Sequence, residues 1–592
     1  MGVPGFFAWL LKNYKSANII TSKIDISVDN LYLDANCLFH PQCYKVLDFY
    51  ENKLTVEKLE NKMFQRILNY LDYIISFVNP TKKVFIAVDG VAPMAKMNQQ
   101  RKRRYKSIYD NNIKDSIKKK YDKNISSIWN NTVITPGTKF MEKLHKHLLN
   151  YIKQNRLKLN IEYVYSSYHT VGEGEHKILQ DIKLEANNQN NVNVIYGLDA
   201  DLIFLALASK KDNIYLLREE IVLKNVNLAE KNEVVDIVKD VAENLCFVSI
   251  DETKNCINEQ FKFLIDKKIT PNMGYNIDYE NKYFIDDFIV ICFLLGNDFI
   301  PNLPSIDIKT YGLDYLLNAY VDVFLTFGNG LTYLETKSNI SNINIDNIFL
   351  EEYLLSISRN EDYYFKVKLP IFYENIKKRS CSSADLYERE LWDLDNMRLS
   401  SIDDPIKLGY DKPDLYKFRY YEYYYGSTNY QTELINNICD DYLKGICWTI
   451  KYYFQKCDSY SWQYKYINAP FASDLSKYFK SKKIDMQHLK LDESITITPF
   501  TQLLAVLPPT CYKLLPDNYG SLMKEINSPI IDMYPLNIKI DELYKDTFHK
   551  CTPFIPIIDI KRILDATKNI PVFKEDKERN TILDNFIFNH KK

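Results

Sequence analysis

A β-branched run from Val192 to Tyr196 is followed by Gly197, by two aspartates two positions apart (Asp199 and Asp201), and by an apolar stretch reaching Ser209. That order reads as strand, tight turn and helix. It sets two carboxylates at the carboxyl end of a buried strand, where open α/β sheets place their ligand sites. Taken singly, Asp199 is equally well read as a helix N-cap. The pattern recurs, however. The short apolar run from Asn30 ends on Asp34, VFIAVDG ends on Asp89, and IEYVYSS (161–167) leads into a glycine-bearing turn carrying Glu173 and Glu175. A later apolar helix, FIDDFIVICFLL, closes on Gly296, Asn297 and Asp298. Strands alternating with helices over residues 1–210 predict the α/β class, with a mostly parallel central sheet flanked by helices.

In such a sheet the carboxyl ends of all strands lie along one edge, so Asp34, Asp89, Glu173, Glu175, Asp199, Asp201 and Asp298 can converge in one cleft. Converging carboxylates cannot all stay ionised without cations. Hard divalent ions with oxygen ligands answer this need, and Mg²⁺ suits a site left partly water-ligated. Two such ions about 3.5–4 Å apart would activate a water and stabilise the leaving oxygen of a phosphodiester. Any one of these acids is more readily a cap or a solvated turn; their shared placement favours the metal reading.

A long polar helix is predicted from about Ala95 to Lys123. Along it Lys96, Gln100, Arg103 and Arg104 fall at i, i+4, i+7 and i+8, on one face that starts beside Asp89. Two guanidiniums, an ammonium and an amide suit a terminal phosphate. Composition alone leaves a solvated basic helix or a localisation run such as RKRR equally open. Lys118 to Lys120 are assigned to an exposed helix end.

The chain of 592 residues is too long for one core, and its net charge of −1 leaves nucleic-acid binding to local patches. No apolar run approaches the ~18 residues of a membrane span, so no membrane association is expected. MGVPGFFAWLLKNYK lacks a basic leader and a cleavage site, which argues against a signal peptide. The 11 scattered cysteines form no CxxC pair, which fits a reducing, intracellular setting. The 46 tyrosines are matched by many Asn, Lys and Ile, a bias an AT-rich genome explains, so they are no evidence for base stacking. KSNISNINIDN and the polar stretch from Lys377 to Pro413 read as loop or linker. From Tyr416 the chain is rich in aromatics, and it ends in apolar runs and a charged tail.

Together these motifs resemble the XRN family of 5′→3′ exoribonucleases. The likeness runs through MGVPGFFAWL, NLYLDANCLFH, VDGVAPMAKMNQQRKRR, ITPGTKFM, GEGEHKI, YGLDADLI, LLREE and DDFIVICFLLGNDFIPNLPS. It resumes in YLKGICWTIKYYF, SWQYKYINAPFASDL, TPFTQLLAVLP and SPIIDMYP. The resemblance implies a flap-endonuclease/PIN-like nuclease core over 1–360 with a tower-like helix at about 95–123. A variable linker over 361–413 and an aromatic-rich second conserved region over 414–592 that wraps the cleft would follow. It implies that the seven acids are catalytic and bind two Mg²⁺ ions, with Mn²⁺ as a substitute. Lys96, Gln100, Arg103 and Arg104 would form the 5′-monophosphate pocket. His40 would stack on the first base, with Trp462 on its other face and Trp448 as the fallback.

The implied activity is processive 5′→3′ hydrolysis of single-stranded, 5′-monophosphorylated (decapped) RNA to 5′-mononucleotides, in mRNA decay and RNA turnover. The implied setting is a monomer, cytoplasmic with a nuclear site left open, fed by decapping machinery. Met94 stands where the family usually has arginine, Val171 where it has proline before GEGEH, and Tyr460 where a tryptophan is common. A long C-terminal extension is not expected. Two other readings stay in view: a DNA flap nuclease of the same superfamily, and an RNA-binding protein with a dead site.

Overall fold

Short runs of Val, Ile, Leu, Phe and Tyr, buried on both faces, become the parallel centre of the molecule, as sheets covered on both sides require. The computed structural model describes all residues except 1–2, 15–17, 51–52, 124–128, 157–160, 185–189, 220–235, 270–282, 338–339, 400–401, 428–431 and 590–592. Its strands are β1 (Ile20–Thr21), β2 (Asn30–Asp34), β3 (Lys83–Ala87), β4 (Glu162–Ser166), β5 (Asn193–Tyr196), β6 (Ile214–Glu219), β7 (Leu245–Ser249), β8 (Thr332–Lys337), β9 (Ile340–Ile345), β10 (Lys539–Asp541), β11 (Thr552–Phe554) and β12 (Phe586–Phe588). One eight-stranded sheet has the order β1-β7-β6-β5-β2-β3-β4-β12. The five strands from β6 to β4 are mutually parallel, while β7, β1 and β12 add antiparallel edges. The expected mostly parallel sheet is therefore its centre.

The chain leaves β2 for β3 on one side and later returns to lay β5 on the other. The carboxyl end of β2 is thus a topological switch point, the crevice where α/β sheets bind ligands. Asp34 ends β2, Asp89 follows β3, and Asp199 follows β5.

The long helix spans Met94–Lys120 and rises from the loop after β3. Its three faces do different work. Arg101 is fully buried, donates to the carbonyls of Ala505 (2.9 Å) and Met533, and lies over the rings of Tyr105 and Tyr534. Of the RKRR run, this arginine therefore belongs to the packing of the helix against Pro499–Val506.

Several stretches read as irregular are ordered. KSNISNINIDN contributes to the β8–β9 hairpin (338–339 lie outside the described residues). Within 377–413, helix Leu386–Asp395 packs its Leu394 against Ile117, Phe548 and Cys551. Its Glu390 accepts from Lys120 Nζ (2.6 Å) and Tyr121 Oη (2.7 Å), so the far end of the long helix is braced rather than free. Glu361, in the expected linker, is 4% exposed and faces Lys417. The closing tail supplies β12, where Phe586 packs on His145 and Tyr165. One hydrophobic core runs from Val3 to Leu543 and joins both conserved regions. Among the described residues no helix is long and apolar enough to cross a membrane.

Arg101→Gln should cost about 2–3 kcal/mol by leaving two buried carbonyls short of a charged donor. Thermal unfolding should show a clear fall for Arg101→Gln and almost none for Arg103→Gln, whose side chain is exposed.

Candidate active site

Burial and like charge govern the acids at the switch point. Asp34, 6% exposed, accepts from the Cys37 thiol (2.9 Å). Burial first, and then the charge of Asp89, push its carboxyl up to about 7. Asp89 accepts from the backbone N–H of Gly174 (2.8 Å) and from Asn36 Nδ2 (3.1 Å), while its own N–H donates back to Asn36 Oδ1 (3.1 Å). Gly174 is needed here for space: a Cβ on it would lie 3.0 Å from Asp34 Oδ1 and 3.2 Å from the Ala87 carbonyl oxygen. Asp201, opening helix Asp201–Ala208, is pushed up to about 6 by burial, with the charge of Asp298 adding. Burial also raises Glu173 and Glu175. Asp298 is presented by a turn in which Asn297 Oδ1 accepts from the N–H groups of Phe299 (2.9 Å) and Ile300 (3.0 Å).

Lys96 enters this set from the first turn of the long helix. Its Nζ lies 2.6 Å from Glu173 Oε1, 2.9 Å from Asp298 Oδ2 and 3.9 Å from Glu175 Oε1. Burial works against its charge, but Glu173 and Asp298 outweigh that and hold it protonated. The same ammonium holds Asp298 below the usual carboxylate range despite its burial. The sequence grouped Lys96 with the phosphate-facing residues, whereas here its charge is turned into the acids.

Asp34, Asp89, Glu173, Glu175 and Asp199 line one cavity of about 480 Å³ together with Lys96, Gln100, Arg103, Arg104 and His40. Asp201 and Asp298 do not line it; the Lys96 ammonium, which does, pairs with Asp298 and acts on the charge of Asp201. Arg104 donates to Thr135 Oγ1 (2.9 Å) and weakly to Gln100 Oε1 (3.4 Å). Burial, with Arg103 beside it, lowers its pKa to about 10. Two neighbouring guanidiniums without a carboxylate salt bridge among the described residues form an anion site by charge and by fork geometry. His40 is pushed down to about 4 by burial and by these two arginines, so it presents a neutral ring to the cavity at pH 7.

Trp462 is a correction. It is 1% exposed and stacks on Trp448 (5.4 Å), which stacks on Tyr452 (4.9 Å), which stacks on His176 (4.3 Å). Gly445 beneath Trp462 leaves no room, since an added Cβ would approach its ring to 3.0 Å. Neither Trp462 nor the fallback Trp448 has a face open to His40; both are interior rungs of an aromatic ladder. The rings that share the cavity with His40 include Tyr44, one helical turn further on.

The ladder contains a residue that motif reading missed. Tyr452 Oη donates to Glu173 Oε2 at 2.5 Å, so the second region orients an acid of the first. Lys177 also went unassigned; its Nζ donates to the carbonyls of Val88 (2.8 Å) and Ser167 (3.0 Å), tying together the loops after β3 and β4. Thr135, which holds Arg104, lay within a quoted motif but had no role. Met94, Val171 and Tyr460, the three departures, line one apolar cavity of about 180 Å³. They are a single local repacking, away from the phosphate-facing side chains.

The donor set fits a hard divalent cation: only oxygen ligands, several deeply buried, with a lysine already supplying positive charge among them. Among the described residues no three of these groups are pre-arranged in ligand geometry, and Lys96 is paired with Glu173 and Asp298 among them. An α/β protein with a carboxylate cleft beside a guanidinium pair is what fold and site define.

Comparison with known proteins narrows the class. Residues 1–220 match the model described as XRN 5′-3′ exonuclease N-terminus, and residues 277–384 and 374–592 match the Xrn1 helical domain. The chain belongs to the XRN family. It is 32% identical to human 5′-3′ exoribonuclease 1, over 98% of this chain and 35% of that protein. It is 28% identical to the exoribonuclease 1 of Saccharomyces cerevisiae (99% and 44%) and 27% to the exoribonuclease 2 of Debaryomyces hansenii (99% and 72%). The chain thus spans less than half the length of those two exoribonuclease 1 relatives.

Two outcomes follow from the electrostatics. Asp34 and Asp201 titrate near 3.9 when unfolded but near 7 and 6 when folded. The folded state therefore binds more protons between about pH 4 and 7, and without divalent ions it loses stability as pH rises through that window. Cations need the ionised acids, so the thermal shift produced by Mg²⁺ or Mn²⁺ should be small at about pH 5 and grow towards pH 8. Tyr452→Phe should weaken divalent-ion affinity by about tenfold while the protein stays folded, as loss of an orienting partner does. Calorimetric titration with Mn²⁺ measures it.

Proposed function

We propose that the chain is a 5′→3′ exoribonuclease that degrades single-stranded RNA bearing a 5′-monophosphate to 5′-mononucleotides. One observation carries this reading: a guanidinium pair without a salt bridge among the described residues and a set of buried carboxylates line one cavity. The first fixes a charged chain end, and the second acts on the next phosphodiester. The names of the relatives, all 5′-3′ exoribonucleases, support the direction and the substrate class.

Divalent cations, two Mg²⁺ in this reading, would be held by Asp34, Asp89, Glu173, Glu175, Asp199, Asp201 and Asp298, and would supply an activated water and stabilise the leaving oxygen. The chain's own residues do the rest. Arg103 and Arg104 clamp the terminal phosphate, with Gln100 and Thr135 fixing the Arg104 fork. A bulky cap or triphosphate would overfill that clamp. Neutral His40 offers a flat face to the first base, a stacking contact tolerant of sequence. Tyr452 orients Glu173, and Asn36 with Gly174 fixes Asp89. Lys96, paired here with Glu173 and Asp298, would be released towards the terminal phosphate if cations took over those two acids. The same reading includes a monomer acting in the cytoplasm on decapped messenger RNA.

One RNA labelled at its 3′ end and carrying a 5′-monophosphate, triphosphate, cap or hydroxyl tests the proposal in the presence of Mg²⁺. Only the monophosphate form should disappear, down to short remnants; equal loss of all four would overturn the end-selectivity. Arg104→Gln should slow the monophosphate substrate by at least about tenfold and leave the hydroxyl form unchanged. Asp199→Ala with Asp201→Ala should abolish turnover, and unchanged turnover would sink the assignment of the acids.

A further inference from the structure

The long helix has a second cavity on its neighbouring face. It measures about 250 Å³ and lies between the helix, the Asn297–Pro301 turn and the strand segment around Cys551. Lys102 and Arg103 line it, and neither forms a salt bridge or hydrogen bond with a described residue. Burial alone lowers the Lys102 ammonium to about 8, with no acid beside it to offset the cost. Two further lysines here are already engaged: Lys106 with Asp110 (2.5 Å) and Lys550 with Asp546 (2.8 Å). Asp298 borders the cavity but spends its carboxylate on Lys96.

The polar lining is unsatisfied in a way that calls for a ligand. Both side-chain amide atoms of Gln99 are buried without a partner, and so is Asn297 Nδ2, although Asn297 Oδ1 is fully used in its turn. Buried polar atoms of this kind are normally paired, and turning either amide outward into the cavity would let a bound molecule supply the partners. Tyr466, half-buried, adds an aromatic face. The volume lies below the roughly 300–1,000 Å³ of sites enclosing a whole drug-sized ligand, and suits a phosphate with its sugar.

We propose that this cavity is a second phosphate site that takes a nucleoside 5′-monophosphate, bound by Lys102 and Arg103 with Gln99 and Asn297 on the sugar and Tyr466 beside the base. Arg103 lines both cavities, so a released nucleotide passes from the cleft to the second site without leaving the reach of one guanidinium. The assignment rests on the exoribonuclease reading for the identity of that nucleotide as product. It gives the product a place to stand while the next chain end enters the first clamp.

Equilibrium dialysis of labelled 5′-AMP against the whole chain tests it. The wild type should bind two per chain, Lys102→Gln one, and Arg104→Gln one, while Lys102→Arg should keep both. Adenosine should compete at neither site below a tenfold excess, and inorganic phosphate should compete more weakly than 5′-AMP at the Lys102 site. A single wild-type site lost in Arg104→Gln but kept in Lys102→Gln would overturn the second site and leave the first clamp standing. Equal affinity for inorganic phosphate and 5′-AMP at the Lys102 site would overturn the nucleotide assignment. Failure of the exoribonuclease reading shows separately, in the four-ended RNA assay.

Discussion

Mutual repulsion among buried carboxylates is the constraint from which the rest of the molecule follows. The switch point of the sheet crowds Asp34, Asp89 and Asp199 at adjacent strand ends, and Glu173, Glu175, Asp201 and Asp298 close round them. Carboxylates out of water need compensating charge or they take up protons. Both answers are visible: Asp34 and Asp201 are raised towards neutral pH, while Lys96 holds Asp298 below the usual carboxylate range and offsets part of the burial that raises Glu173. One lysine offsets only part of the charge the seven acids could carry, which is why the proposed reading adds divalent cations.

The second region is bound to this arrangement rather than laid over it. Tyr452 reaches Glu173 from the ladder of Trp462, Trp448 and His176. The Met94 N–H donates to the Tyr460 carbonyl (2.8 Å), the Ala92 N–H to Gln502 (2.9 Å), and Gln180 donates to the Gln455 carbonyl (2.7 Å). Backbone at Ala92 and Met94, beside the acids, is thus satisfied by Gln502 and Tyr460 of the second region, and backbone of that region by Gln180 of the first. Neither region can move as a rigid unit without breaking buried hydrogen bonds of the other, and buried aromatic rungs make a stiff connection. The continuous core from Val3 to Leu543 has the same meaning.

How much of this was legible depended on whether the signal was local. Apolar runs ending on acids are local, and they located β2, β3, β4 and β5 with the acids at their ends; β6 and β7, which end on no acid of the cleft, went unread. The i, i+4, i+7, i+8 spacing of Lys96, Gln100, Arg103 and Arg104 is local too, and all four line the cavity. The direction of the Lys96 ammonium was not, since it depends on Asp298 some 200 positions later. Tryptophans are equally at home in a core and on a nucleic-acid face, so Trp462 could be placed only by seeing what stacks on it. Leu386–Asp395 looked like linker because its apolar side is narrow: Leu394 is its buried residue, and its partners come from the long helix and the 548–551 segment. β12 is three residues long in a charged tail, and pairing with β4, far away in sequence, is what makes it a strand.

The long helix shows why one stretch of sequence could suggest both a basic patch and a buried core. At about 100° per residue, Lys96, Gln100, Arg103 and Arg104 fall on one face, towards the acids. Met97, Arg101 and Tyr105 fall on the next, and all three are buried against the second region. Gln99, Lys102 and Lys106 fall on the third, along the second cavity. Charge therefore does not decide the role of a basic residue here; phase does. Arg101 and Arg104 are three residues apart and differ by a rotation of about 60°, yet one is fully buried between tyrosines and the other faces the cleft. Arg103, one step from Arg104, sits where the first and third faces meet and is exposed. A helix carrying structural, cleft-facing and cavity-facing residues on three sides cannot rotate to improve one face without damaging the other two. Arg101, locked by carbonyls on its buried side, is what holds the clamp in register with the acids.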